Sequence, residues 1–126
     1  VIDDEATICD MVREVLAADG HEVTVARDGQ AGLDRILESE YDCVLADVKM
    51  PELDGPSLHA ELVERVPELA RRVVFMTGDT LSEESRGFLE SIGNTYLAKP
   101  FSISALRQAV QASFVGKSTA DPNPVS

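Results

Sequence analysis

Tryptophan is absent from this chain, and aromatic residues of every kind make up only 5% of its 126 residues. Basic residues are scarce as well: 11 Lys and Arg stand against 23 Asp and Glu, for a net charge of -12. A phosphate backbone repels such a surface, and no basic stripe with interleaved aromatics offsets the repulsion, so direct nucleic-acid binding by these residues is excluded. Cysteine is limited to Cys9 and Cys43, too few for a disulfide framework or a four-ligand zinc site. Both lie among apolar neighbours, as buried structural thiols do. His21 and His59 stand alone in polar stretches and read as surface residues. Long apolar runs are missing too. The longest, such as 73–76, hold a few residues, so no segment can cross a bilayer or direct export. The expected compartment is the cytoplasm, with no membrane contact by this domain.

The length suits one domain, and an apolar content of 44% suffices for one core. The chain opens Val1-Ile2-Asp3-Asp4, a stub where a buried strand normally takes about five or six residues; the expectation is that the protein continues upstream. Over 6–18, Ile8, Met11, Val12, Val15 and Leu16 fall on one helical face, and Gly20 suits the left-handed position that ends a helix. Residues 21–26 read as a strand and Asp28-Gly29 as a turn, before a second helix striped by Ala31, Leu33, Ile36 and Leu37. The run 43–46 ends in Asp47, as a strand buried on both faces would. A loop over 49–55 precedes a third helix carrying Leu58, Leu62 and Val63, which Pro67 ends. Residues 73–76 form a fourth strand. Thr80 and Glu83 have capping-box spacing for a fourth helix with Phe88, Leu89 and Ile92 inward. A fifth strand covers 95–98, and a last helix after Pro100, capped by Ser102, places Ile103, Leu106 and Val110 on one side. Five alternating strand–helix units call for a parallel sheet covered on both faces. The expected domain is 1–115, followed by a disordered tail over 116–126 that is rich in Ser, Pro, Asn and Asp.

In an open parallel sheet, ligands bind beyond the carboxyl ends of the strands. Those ends carry Asp3 and Asp4, Asp47, Thr77, and Lys99. Any one of them could be ordinary solvent exposure. Three carboxylates, a hydroxyl and an ammonium converging from four strands make a site. Carboxylates crowded together repel one another unless a cation neutralises them, and an oxygen-only set with room for water favours Mg²⁺. Asp47 can then act as a nucleophile toward phosphorus, with Thr77 and Lys99 serving the phosphoryl oxygens.

Asp3-Asp4-Glu5, Asp47 followed by Met50-Pro51 and Asp54-Gly55, Thr77-Gly78, and Lys99-Pro100-Phe101 together resemble the receiver domains of bacterial response regulators and hybrid histidine kinases. The resemblance runs from Val1 to about Phe114. It implies a flavodoxin-like, doubly wound five-stranded sheet in the order 2-1-3-4-5. It also implies that Asp47 accepts phosphate from a histidine kinase or a histidine phosphotransfer domain, and that the isolated domain is not itself an enzyme. Asp4, Asp47 and the backbone carbonyl of Lys49 would ligate Mg²⁺, with Asp3 helping through water. Thr77 and Lys99 would hold the phosphoryl group, and Tyr96 matches the family's switch aromatic. The Lys99-Pro100 bond resembles the family's cis-peptide site. Lys49 and Asp79 occupy positions that tune phosphate loss in the family, and Lys49 could pair with the phosphoryl group or with Glu52.

The implied switch draws Thr77 toward the phosphate and turns Tyr96 inward. That alters the face made by the fourth helix, fifth strand and fifth helix, with Ser82, Glu83, Phe101 and Ile103 as candidate members; a homodimer could form through it. The segments 77–80 and 56–62 point to a hybrid-kinase parent, with a stand-alone or DNA-binding regulator as the alternative. A Mg²⁺-dependent phosphatase with an aspartyl nucleophile is a remote enzyme reading, since its second acid would stand where Lys49 is. An inactive binding module and a flavodoxin-like redox protein are further readings, the latter without the hydroxyl-rich cradle that a flavin needs.

Overall fold

Alternation along each buried strand divides the apolar residues between two layers, one on either face of a parallel sheet. The structure, a computed structural model, describes residues 1–50, 52–78 and 83–118, with backbone alone for 115–118. In chain order the elements are α1 (Ala6–Ala18), α2 (Gly29–Glu38), β1 (Val44–Asp47), α3 (Gly55–Arg65), the single turn α4 (Pro67–Ala70), β2 (Val73–Thr77), α5 (Glu83–Ile92), β3 (Tyr96–Ala98) and α6 (Ile103–Ser118). Val44, Ala46, Val73 and Phe75 pack with Leu33, Ile36, Leu58, Leu62 and Leu89, on the side of α2 to α5. Leu45, Val74, Met76 and Leu97 pack with Val12, Leu16, Leu106 and Val110, on the side of α1 and α6. Phe75, Leu58 and Leu62 are wholly buried, which stabilises by roughly 1.5–3 kcal/mol for each such side chain before entropy is counted.

β1 pairs with β2 and β2 with β3, all in parallel. Ile2 widens the sheet through single parallel bridges to Ala46 on one side and Ala26 on the other. The spatial order Ala26, Ile2, β1, β2, β3 is the expected 2-1-3-4-5. The strand expected over 21–26 shrinks to the bridge at Ala26. Around it Val1 N donates to Thr24 O at 2.8 Å, Ala26 N to Val1 O at 2.8 Å and Asp3 N to Ala26 O at 3.1 Å.

The helix ends follow their local chemistry. Gly20, at φ +94°, closes α1: its N–H donates to Ala17 O and that of His21 to Leu16 O, the paired bonds of a Schellman motif. Asp28 and Asp54 each accept from a backbone N–H three residues on, Ala31 at 2.8 Å and Ser57 at 2.9 Å, capping α2 and α3. Ser102 caps α6 through Ala105 N at 3.0 Å, as expected.

Several expectations are corrected. Pro67 both ends α3 and opens α4, because proline fits the first helical position. Leu37 and Val63 are exposed, each at the margin of its helix's apolar stripe. His59 is half-buried, its ring edge-on to Phe88 and tilted against Phe75, and His21 is half-buried beside Phe114. Helix α6 continues to Ser118, since no proline interrupts it before Pro122. The Thr80 cap, Asp79, Ser82, Pro51 and residues 119–126 lie outside the described residues. No described helix is long and apolar enough to cross a membrane.

Candidate functional site

The tips of β1, β2 and β3 and the residues after Ile2 bring the expected side chains to one end of the sheet. Asp3 follows the Ile2 bridge and is fully buried, anchored by its N–H to Ala26 O. Asp47 ends β1 at 7% exposure, and its N–H donates to Ile2 O at 2.9 Å. Thr77 ends β2 and is buried; its carbonyl accepts the Lys99 N–H at 2.7 Å, which ties the tips of β2 and β3 together. The Lys99-Pro100 peptide is cis.

Carboxylate oxygens of Asp3, Asp4 and Asp47 lie within 4.8 Å of one another. The Lys99 ammonium sits among them, 2.9 Å from Asp3 Oδ2, 3.2 Å from Asp47 Oδ2 and 2.7 Å from Glu5 Oε1. Asp3 Oδ1 accepts the Glu5 N–H at 2.9 Å. Its Oδ2 is shut off from solvent and receives no well-aligned hydrogen bond, although the ammonium is close. A buried carboxylate oxygen without an aligned hydrogen bond, beside two more carboxylates, is the donor set of a hard divalent cation, so the residues fit Mg²⁺.

Electrostatics agree. Burial, and then the neighbouring charge of Asp3, push the Asp47 carboxyl above its ordinary value, while the charge and hydrogen bond of Lys99 and the Lys49 N–H pull the other way. Burial alone would lower the Lys99 ammonium. Hydrogen bonds to Asp3 and Glu5 and the charge of Asp47 more than reverse this, so it stays protonated. Three carboxylates thus pair with the Lys99 ammonium, and a fourth, that of Asp4, lies beside two of them. The pocket has excess negative charge to spend on a metal.

Lys49 is exposed, and its backbone N–H serves Asp47. Tyr96 points outward from β3 at 51% exposure, beside Arg86, Leu89 and Glu90 of α5. Two participants were not assigned roles from the sequence. Glu5 was legible only as the third residue of its motif. Arg27, whose Nη2 donates to Asp4 O at 2.9 Å, crosses 23 positions and left no signal in spacing.

A doubly wound parallel sheet with an acidic pocket and a lysine at its carboxyl edge defines a class of small α/β domains whose ligands bind at that edge. The chain matches the response regulator receiver domain over residues 1–111 and belongs to that family. It is similar to the transcriptional regulatory protein RprY of Bacteroides fragilis, 31% identical over 87% of this chain and 46% of that protein. It is also similar to the response regulator MprA of Mycolicibacterium vanbaalenii, 33% identical over 89% of this chain and 48% of that one. The chain therefore spans about half the length of these curated relatives. Among solved structures, a receiver domain from Clostridium thermocellum superimposes with TM-score 0.79 at 30% identity, covering 94% of both chains. A CheY-like domain from Methanospirillum hungatei, at 24% identity and TM-score 0.83 over 94% of both chains, shares the fold. The protein is a receiver domain of the two-component type.

Proposed function

We propose that Asp47 is the phosphoacceptor of this receiver, in a reaction that needs Mg²⁺ held by Asp4, Asp47 and the Lys49 carbonyl, with Asp3 acting through water. The observation that carries the reading is the convergence of Asp3 and Asp4, within 4.8 Å, on Asp47, whose Oδ2 lies 3.2 Å from a lysine ammonium. When bound, Mg²⁺ supplies charge neutralisation for the phosphoryl oxygens as they approach the carboxylates. An Asp47 oxygen attacks phosphorus, forming an O–P bond as the donor's N–P bond breaks. The electron pair of that bond goes to the imidazole of a phosphohistidine on a histidine kinase or phosphotransfer domain. Lys99, already protonated and within reach of Asp47, neutralises charge on the transferred group, and the Thr77 hydroxyl donates to it. The isolated domain assists its own phosphorylation and is otherwise not an enzyme.

Phosphorylation adds about two negative charges at neutral pH. Thr77 turns toward them, and Tyr96 moves inward from the exposed position it holds at the rim of β3. This re-forms the α5–β3–α6 face for a partner or a second copy. For the parent chain, a response regulator is supported by the relatives, one a transcriptional regulatory protein and one a response regulator, with a hybrid kinase as the other reading. Incubation with Mg²⁺ and acetyl phosphate should add one phosphate by intact mass, and Asp47→Asn should add none. Phosphate gain by Asp47→Asn, or none by the wild type, would refute the reading.

A further inference from the structure

Glu5 makes the shortest of the three contacts to the Lys99 ammonium, at 2.7 Å, yet it is not among the three carboxylates that could hold a metal. Its side chain is 56% exposed, whereas that of Lys99 is 13% exposed, so an outer carboxylate reaches in to a largely enclosed cation. No helix-capping duty explains it. Glu5 is the N-cap residue of α1, but its side chain makes no capping hydrogen bond. What fixes it is its backbone, whose N–H is pinned to Asp3 Oδ1 at 2.9 Å. The pair joins residues 94 positions apart and places a fourth negative charge at the rim of the pocket.

Resting on the reading of Asp47 as phosphoacceptor, we propose that Glu5 is a positioning residue that competes with the phosphoryl group for Lys99. Before phosphorylation, Lys99 donates to Glu5 and Asp47 and lies 2.9 Å from Asp3 Oδ2 as an ion pair. A phosphoryl group on Asp47 demands the same ammonium. Glu5 must then release it, or stand within reach of a doubly charged group that repels it. Either course raises the energy of the phosphorylated state relative to the unphosphorylated one, so Glu5 slows acceptance and shortens retention. The exposed position keeps the effect graded rather than absolute, because water screens the pair.

Glu5→Gln retains length and an acceptor oxygen while removing the charge. In saturating Mg²⁺ it should be phosphorylated about twofold to fivefold faster and lose phosphate correspondingly more slowly, the range expected for a partly exposed ion pair. Two donors separate competition from simple repulsion of an anion: acetyl phosphate, which is dianionic, and phosphoramidate, which carries less net charge. Acceleration with both supports competition for Lys99. Acceleration with acetyl phosphate alone, or with neither, overturns it. A readout free of turnover is the affinity for beryllofluoride, a phosphoryl mimic, in Mg²⁺; it should tighten by a similar factor in Glu5→Gln and stay unchanged in Glu14→Gln, an exposed position on α1. Unchanged beryllofluoride affinity in Glu5→Gln also overturns the proposal. Failure of the wild type itself to gain phosphate would instead strike the assignment of Asp47.

Discussion

Asp47 is held where its own charge is unwelcome, and that has a measurable cost in the metal-free protein. Its raised carboxyl means the folded state favours the protonated form, so stability falls as pH rises from the ordinary aspartate range through the folded value. At pH 7.5 with chelator present, Asp47→Asn should therefore be more stable than wild type, seen as a higher urea midpoint. A lower midpoint would mean that the Lys99 pair outweighs burial and the Asp3 charge. His59 runs in the opposite direction. Burial against Phe75 and Phe88 lowers its ring below the ordinary value of the unfolded chain. The unfolded chain then binds the extra proton first, and stability is lost as pH falls below about 6.5. His59→Gln should narrow the gap between urea midpoints at pH 7.5 and 5.5; an unchanged gap would exclude His59 as its source.

At the scale of elements, dipeptides that read as turns serve as helix starts. Asp28 and Asp54 are caps, and Gly29 and Gly55 begin their helices because no side chain fits there. A Cβ at Gly29 would lie 1.6 Å from Leu53 O, and one at Gly55 2.9 Å from Val48 Cα. The two glycines let the chain between β1 and α3 lie against its neighbours. Gly29→Ala should cost at least about 2 kcal/mol of stability and slow phosphorylation as that loop shifts, whereas Asp54→Ala should cost about 1 kcal/mol and leave the phosphorylation rate nearly intact. Urea denaturation and intact-mass time courses separate the two. Strand ends and apolar stripes were legible because burial dictates residue type directly: Asp47, Thr77 and Lys99 each follow an apolar run at one end of the sheet, and the side chains of Asp47 and Lys99 meet there. The segment 21–26 keeps one bridge of the expected strand, at Ala26, because β-branched residues report a propensity and not a pairing. The turn Pro67–Ala70 was hidden behind a proline that both stops one helix and begins another. Contacts such as Lys99 to Glu5 join distant positions, and no local period reveals them.

For the whole molecule, the absence of tryptophan makes tyrosine the reporter of choice, and the chain has two, Tyr41 and Tyr96. In a Tyr41→Phe background the emission belongs to Tyr96 alone. Phosphorylation, or beryllofluoride with Mg²⁺, should reduce its quenching by acrylamide from the level that a half-exposed ring allows. Unaltered quenching would argue that the ring does not move. The bond from the Lys99 amide to the Thr77 carbonyl sets a boundary on how such a message can travel. With those two tips joined through their main chains, separating them costs a hydrogen bond of about 1 kcal/mol, whereas torsion of side chains over the same frame costs none, as a key turns tumblers inside a lock.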